Sequence, residues 1–124
     1  MIAADTSVII DFFQGRETTC TRQIRYALDR GMLVLPPASV TELFSNHEAR
    51  KDVEELVAAV EILSITSDYW QRAGLLRAKI RKSGHKATLG DALIAQSCID
   101  HSVPLLTTDT DFRHYAKAGG LKLA

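Results

Sequence analysis

The sequence predicts an α/β fold, a three-layer αβα sandwich around a four- or five-stranded, mainly parallel sheet. Three observations predict it. Short apolar runs of strand length (Ile2–Ala4, Leu33–Leu35, Glu61–Ile65, Val103–Thr107) alternate with longer stretches whose apolar residues recur at helical spacing. Such alternation puts consecutive strands parallel, and right-handed crossovers then lay helices on both faces. The chain has 124 residues, of which 46% are hydrophobic and 24% charged, so residues 1–124 suit one domain with a single sizeable core.

Each element has a local reason. Ile2–Ala4 reads as a buried first strand ending at Asp5, with a helix starting at Thr6 or Ser7 and stopping at Gln14-Gly15. Thr18 or Thr19 caps a second helix to about Asp29, with Ile24, Ala27 and Leu28 on one face and Gly31 beyond its end. Leu33–Leu35 is a strand closed by Pro36-Pro37, because proline cannot continue a central strand. Ser39 or Thr41 then begins a third helix with Glu42 in its first turn. Val53, Leu56, Val57 and Val60 mark an amphipathic helix, and Glu61–Ile65 a third strand. Ser67-Asp68 caps a long helix over Tyr69–Ser83 with Trp70, Ala73, Leu76 and Ile80 as its buried stripe, and Gly84 ends it. Asp91 opens a helix to about His101, and Val103–Thr107 is the fourth strand. The turn Thr108–Asp111 leads into a last short helix, and Leu121–Leu123 is a candidate edge strand.

Composition excludes several classes. No apolar run approaches the roughly 20 residues of a membrane span, and no secretion signal is visible, so a cytoplasmic location without membrane contact is expected. Cys20 and Cys98 lack metal-ligand spacing and fit reduced core residues. The formal net charge of zero hides an asymmetry. Arg72, Arg77, Lys79, Arg81, Lys82 and Lys86 lie between Tyr69 and Gly90 with no acid among them, leaving the rest of the chain acidic.

Four acids stand where a site would form. Asp5, Glu42 and Asp109 each follow a strand, and a parallel sheet binds ligands at the carboxyl ends of its strands. Asp91 starts the helix that feeds the fourth strand. Asp5 alone reads equally well as a helix cap, but four clustered carboxylates repel one another unless a cation joins them or one keeps a proton. Carboxylates without His or Cys suit Mg²⁺ or Mn²⁺. Asp5, Asp91 and Asp109 are the candidate metal ligands, and Glu42 is either a further ligand or the general base. Thr6 and Thr107 flank two of these acids as supporting hydroxyls or as simple backbone caps. Asp111 competes with Asp109, which is nearer the strand end, while Asp11 lies deeper in the first helix. Ser7 has no His–acid pair beside it and is a poor nucleophile. The basic stretch, with Arg77, Lys79, Arg81, Lys82 and Lys86, is either a solvated helix face or a track for backbone phosphates. His85 has no assigned role, and His47, His101 and His114 read as surface residues.

Four segments in order, Asp5-Thr6-Ser7 with Val8–Asp11, Val40-Thr41-Glu42-Leu43, Gly90-Asp91-Ala92-Leu93-Ile94-Ala95 and Leu105–Phe112, resemble the PIN domain, and within it the VapC toxins of toxin–antitoxin pairs. The resemblance spans nearly the whole chain. It implies a Mg²⁺- or Mn²⁺-dependent endoribonuclease that hydrolyses RNA with metal-activated water and acts as the toxin of a type II pair. It carries the acidic quartet onto Asp5, Glu42, Asp91 and Asp109. It also implies a small antitoxin protein as partner and a homodimer. A receiver-type phosphoacceptor domain shares the layered architecture, but Asp5 has no acidic neighbour and the third strand ends in Ile65-Thr66-Ser67 without an acid. A non-catalytic PIN-like binding module is the other alternative, against which the intact acids speak.

Overall fold

The computed structural model describes all of residues 1–124. Four short strands, β1 (Ile2–Ala4), β2 (Leu33–Leu35), β3 (Glu61–Ile62) and β4 (Leu105–Leu106), form one parallel sheet in the order β3-β2-β1-β4. Seven helices connect and cover them: α1 (Thr6–Phe13), α2 (Thr19–Asp29), α3 (Pro37–Phe44), α4 (Arg50–Ala59), α5 (Tyr69–Lys82), α6 (Leu89–Asp100) and α7 (Phe112–Gly119). Register pairs Ile2 with Leu33, Ala3 with Leu105 and Val34 with Glu61.

Because successive strand residues face opposite ways, the sheet feeds two separate cores. Ala3, Val34 and Leu105 pack with Leu76 and Ile80 of α5, Ile94 of α6 and Phe112 and Tyr115 of α7. Ala4, Leu33, Leu35 and Leu106 pack with Val8 and Ile9 of α1, Ile24 of α2 and Val53 and Leu56 of α4. Burying a side chain such as Ile9 or Leu35 contributes roughly 1.5–3 kcal/mol. The small central residues Ala3 and Ala4 let both helical layers come close. The α3 helix packs on α6 on one side and on α1 and α4 on the other, at the carboxyl edge of the sheet.

Several boundaries differ from the sequence-based expectation. The α3 helix begins at Pro37, not Ser39 or Thr41, since proline at the first helical position has φ already set and no N–H to lose. Glu42 therefore sits beyond the first turn. The α6 helix begins at Leu89, capped by the Thr88 hydroxyl, which accepts from the Asp91 N–H at 3.2 Å, so Asp91 lies within the first turn instead of opening the helix. Asp68 precedes α5 in a left-handed conformation (φ 58°) and makes no side-chain cap. The buried stripe of α5 is Tyr69, Ala73, Leu76 and Ile80, while Trp70 is 62% exposed. Tyr69 wins the inward position because its hydroxyl donates to the Leu93 carbonyl and accepts from Ser97, so its polar end is satisfied inside. The expected third strand keeps only Glu61 and Ile62. The fifth edge is a single parallel bridge from Leu105 to Leu123. Both cysteines are free, Cys98 buried and Cys20 half-buried. No helix is long and apolar enough to cross a membrane.

Candidate active site

The parallel sheet and its connections bring Asp5, Glu42, Asp91 and Asp109 to one edge. Asp5 ends β1, Asp109 follows β4, Glu42 lies on α3 directly after β2, and Asp91 is in the first turn of α6. Burial and the neighbouring carboxylates both act on the group among them. The Asp91 carboxyl is pushed up to about 6, first by burial, then by Asp5, with smaller contributions from Asp109 and Glu42 and opposition from the Thr88 hydrogen bond. Burial also raises the Asp5 carboxyl, while hydrogen bonds from Thr107 and Ser7 pull it back and Glu42 adds repulsion.

Asp5 occupies the cap position of α1 yet makes no cap hydrogen bond with its side chain. The carboxylate, only 7% exposed, instead accepts from Thr107 Oγ1 at 3.0 Å and from Ser7 Oγ at 3.2 Å. The Asp5 side chain therefore does not cap α1. Thr107 also accepts from the Asp109 N–H at 3.0 Å, so one hydroxyl ties both acids together. Thr6 Oγ1 donates to Glu42 Oε1 at 2.6 Å. The other Glu42 oxygen lies against Gly90, where an added Cβ would stand 2.6 Å from Oε2. A side chain at Gly90 would therefore force the Glu42 carboxylate to move, a coupling its place in the Gly90-Asp91 segment did not reveal. Asp109 Oδ1 accepts from the Asp111 N–H at 2.9 Å, an Asx turn that starts α7, and the Asp111 side chain makes no cap bond.

Two buried hydroxyls have no partner, those of Ser39 and Tyr115. Burial, and next the Asp91 carboxylate, push the Tyr115 phenol up to about 12, so it stays a neutral donor beside the acids. Nothing in its helical spacing separates it from an ordinary core tyrosine. Beside Glu42 lies a groove of about 310 Å³ walled by Pro37, Trp70, Leu89 and Leu93.

The donor set suits a hydrated hard cation. No three His, Cys, Asp or Glu side chains converge closely enough to cage an ion alone, and the acids are oxygen donors only. Mg²⁺ keeps several waters and takes one or two carboxylates directly, which matches so open an arrangement, whereas tetrahedral Zn²⁺ needs a closer set.

Of the basic stretch, Arg72 is withdrawn from any track. It pairs with Asp100 at the end of α6 and donates to Thr66 and the Ser67 carbonyl. Arg77 donates Nε–H to the Ala87 carbonyl at 2.9 Å and pins the loop ahead of Asp91. Arg81, Lys82 and Lys86 are exposed, and Lys79 reaches the Ala118 carbonyl at 3.0 Å. Among the histidines read as surface residues, His47 is exposed, His101 meets the Ser64 carbonyl at 2.9 Å, and His114 stacks on His85.

The profile of the PIN domain matches residues 2–118. No curated protein sequence matches the chain. Among solved structures, VapBC-1 from nontypeable Haemophilus influenzae superposes with a TM-score of 0.77 at 20% identity, over 100% of this chain and 97% of that one. VapBC2 from Rickettsia felis, bound to a DNA fragment from its promoter, gives 0.76 at 17% identity, over 100% and 98%. A toxin–antitoxin complex from Klebsiella pneumoniae gives 0.68 at 22% identity, over 90% of each chain. Likeness at these identities is one of fold.

Proposed function

The chain belongs to the PIN-domain family, and from that premise we propose that it is a Mg²⁺- or Mn²⁺-dependent endoribonuclease, the toxin of a type II toxin–antitoxin pair. The observation that carries this reading is the placement of Asp5, Glu42, Asp91 and Asp109 along the carboxyl edge of the sheet, with Asp91 raised to about 6 by burial and then by the neighbouring Asp5. Asp5, Asp91 and Asp109 would hold the cation, directly or through its waters. When bound, it would activate water and offset charge on the phosphoryl oxygens.

The chain's own residues supply orientation and a proton acceptor. Thr107 and Ser7 fix the Asp5 carboxylate, and Thr107 anchors the backbone at Asp109. Thr6 holds one Glu42 oxygen and leaves the other beside Gly90. Glu42, anchored but only partly buried, is suited to accept the proton of the attacking water or to add a further ligand. Lys79, Arg81, Lys82 and Lys86 would contact RNA phosphates, with Arg77 holding the adjoining loop. The test is RNA cleavage with and without Mg²⁺. Cleavage that needs the ion and disappears in Asp5→Asn supports the reading, and full activity of that variant in saturating Mg²⁺ sinks it.

A small antitoxin is the proposed partner, with the Klebsiella toxin–antitoxin complex as the fold relative that supports it. Val8 and Ile9 are buried, but Phe12 and Phe13 remain half-exposed and line a groove of about 410 Å³ with Leu28, Leu56 and Ala59, rimmed by Asp52 and Glu55. An amphipathic antitoxin segment would dock there and set an Arg or Lys among the acids in place of the metal. A homodimer would use part of the same apolar surface. Co-purification followed by an RNase assay checks the inhibition, since a stable complex that cleaves at the free enzyme's rate excludes it.

A further inference from the structure

We propose that a second pocket, between the end of α5 and α7, binds a phosphate of the RNA strand flanking the one that is cut. The inference rests on the ribonuclease reading above and deepens it to a named backbone subsite. The pocket has a volume of about 230 Å³, and its polar lining is Lys79, Ser83, His85, His114 and Lys117, with no carboxylate. Two elements distant in sequence build it. Gly84 ends α5 with φ +87°, a conformation glycine takes freely, and this turns His85 back over α7. There its ring lies flat on that of His114, with centroids 3.7 Å apart and planes 13° from parallel.

That stack is the informative feature. Two neutral imidazoles stack without conflict, but two imidazolium rings so close repel unless an anion lies against both. The other charged groups lining the pocket, Lys79 from α5 and Lys117 from α7, are cations and add to the demand for an anion. The carboxylate next along the chain is Asp111, one turn before His114, whose carbonyl accepts the His114 N–H at 3.1 Å. Lys79 spends one donor on the Ala118 carbonyl and keeps two. A phosphodiester offers a single negative charge on two free oxygens, enough to accept from both rings and a lysine at once.

Position ties this pocket to the acids. His85 opens the loop that ends at Thr88, the cap beside Asp91, and α7 starts directly after the Asp109–Asp111 turn. Both walls are thus continuous with the segments that carry two of the four acids. The basic stretch of α5 alone did not mark this place, because His114 and Lys117 come from the far end of the chain.

The test is binding of a fluorescent single-stranded oligoribonucleotide to the full chain in EDTA, followed by anisotropy over salt concentration and from pH 7.5 to 6.0. Wild type is expected to gain affinity as pH falls, by about fivefold, and His85→Gln/His114→Gln to lose that gain. Lys79→Gln/Lys117→Gln is expected to reduce the slope of log affinity against log salt by about 0.7, the loss of one phosphate contact on a single strand. All four side chains are outside the cores, and Arg50→Gln/Lys51→Gln on the opposite layer removes the same charge as a control. Unchanged pH gain and slope in the pocket variants, or an equal loss in the control, overturns the proposal. Ring NMR signals of His85 and His114 that move with inorganic phosphate but not with RNA also overturn it, in favour of a free-anion site. Cleavage in Mg²⁺ is measured alongside. Normal cleavage with pocket variants that bind like wild type discards the pocket alone, and pocket-dependent binding without any cleavage discards the ribonuclease reading alone.

Discussion

Helix α6 carries Asp91 in its first turn and Asp100 as its last residue, and the two carboxyls titrate in opposite senses. Asp91 is pushed up to about 6, by burial first and then by Asp5. At Asp100 burial also pushes upward, but hydrogen bonds from Arg72, Thr66 and Gln96 outweigh it and hold the carboxyl at about 2. The helix dipole favours the reverse, since negative charge is stabilised at a helix N-terminus and disfavoured at its C-terminus by roughly 0.3–1 kcal/mol. Burial together with the available partners therefore decides. Asp100 has an arginine and two further donors, while Asp91 has three acids for neighbours. One end of the helix has its charge paired, and at the other burial and neighbouring carboxylates leave negative charge uncompensated.

If that contrast is right, the largest effect lies in activity at the unpaired end. Asp5→Asn should lower RNA cleavage by about 10³-fold, ~4 kcal/mol in the barrier, while circular dichroism shows an intact fold. Next comes the response to metal. Mg²⁺ at 100 times its dissociation constant should stabilise the folded chain by about 2.7 kcal/mol, read as a rise in melting temperature. That rise should vanish in Asp91→Asn/Asp109→Asn, and a rise of undiminished size there would move the metal elsewhere.

The paired end gives a stability effect. Asp100→Ala leaves Thr66 and Gln96 without their acceptor and should cost about 2 kcal/mol at pH 7, with cleavage per folded molecule unchanged. A folded-state pKa below the unfolded value means this contribution is present above about pH 4 and is lost as pH falls toward 2. A melting temperature insensitive to the change would show the network to be idle.

Gly90→Ala separates site from scaffold. Alanine is the better helix residue by about 1 kcal/mol, yet its Cβ would displace Glu42 from Thr6. Cleavage should fall about tenfold, ~1.4 kcal/mol, without loss of stability. Equal cleavage by both proteins would mean that Glu42 needs no fixed position.

The smallest effect is a gain. With a folded pKa raised above 3.8, Asp91 contributes stability that is present at low pH and lost as pH rises through about 6. Metal-free Asp91→Asn should thus be more stable than wild type at pH 7, by about 1 kcal/mol after allowance for partial exposure. Its melting temperature should fall less steeply between pH 4 and 6.5. Asp5, also raised, keeps part of the slope. A variant less stable than wild type at pH 7 would remove the case for repulsion.

What the sequence alone determined is local. Apolar spacing, with caps and Gly or Pro stops, set the order of the seven α-helices and four strands, though not the 3₁₀ turn at His47–Ala49, and with parallel topology it sent Asp5, Glu42 and Asp109 to one edge. Gly31 and Gly84, both at positive φ, marked helix ends for the same local reason. Tertiary structure alone decided what depends on contacts across the chain. Thr107 reaches Asp5 over 102 positions and Thr6 reaches Glu42 over 36, and those bonds turn two plausible helix-capping hydroxyls into supports for the acids. Tyr69 displaced Trp70 from the core because its hydroxyl found Leu93 and Ser97 on α6, partners no periodicity can display. Arg72 left the basic stretch for Asp100, and His114 joined it by stacking on His85. Periodicity records which face of an element is apolar; the charge state of a carboxyl depends on which other groups the fold sets beside it, and that is fixed only when the layers close.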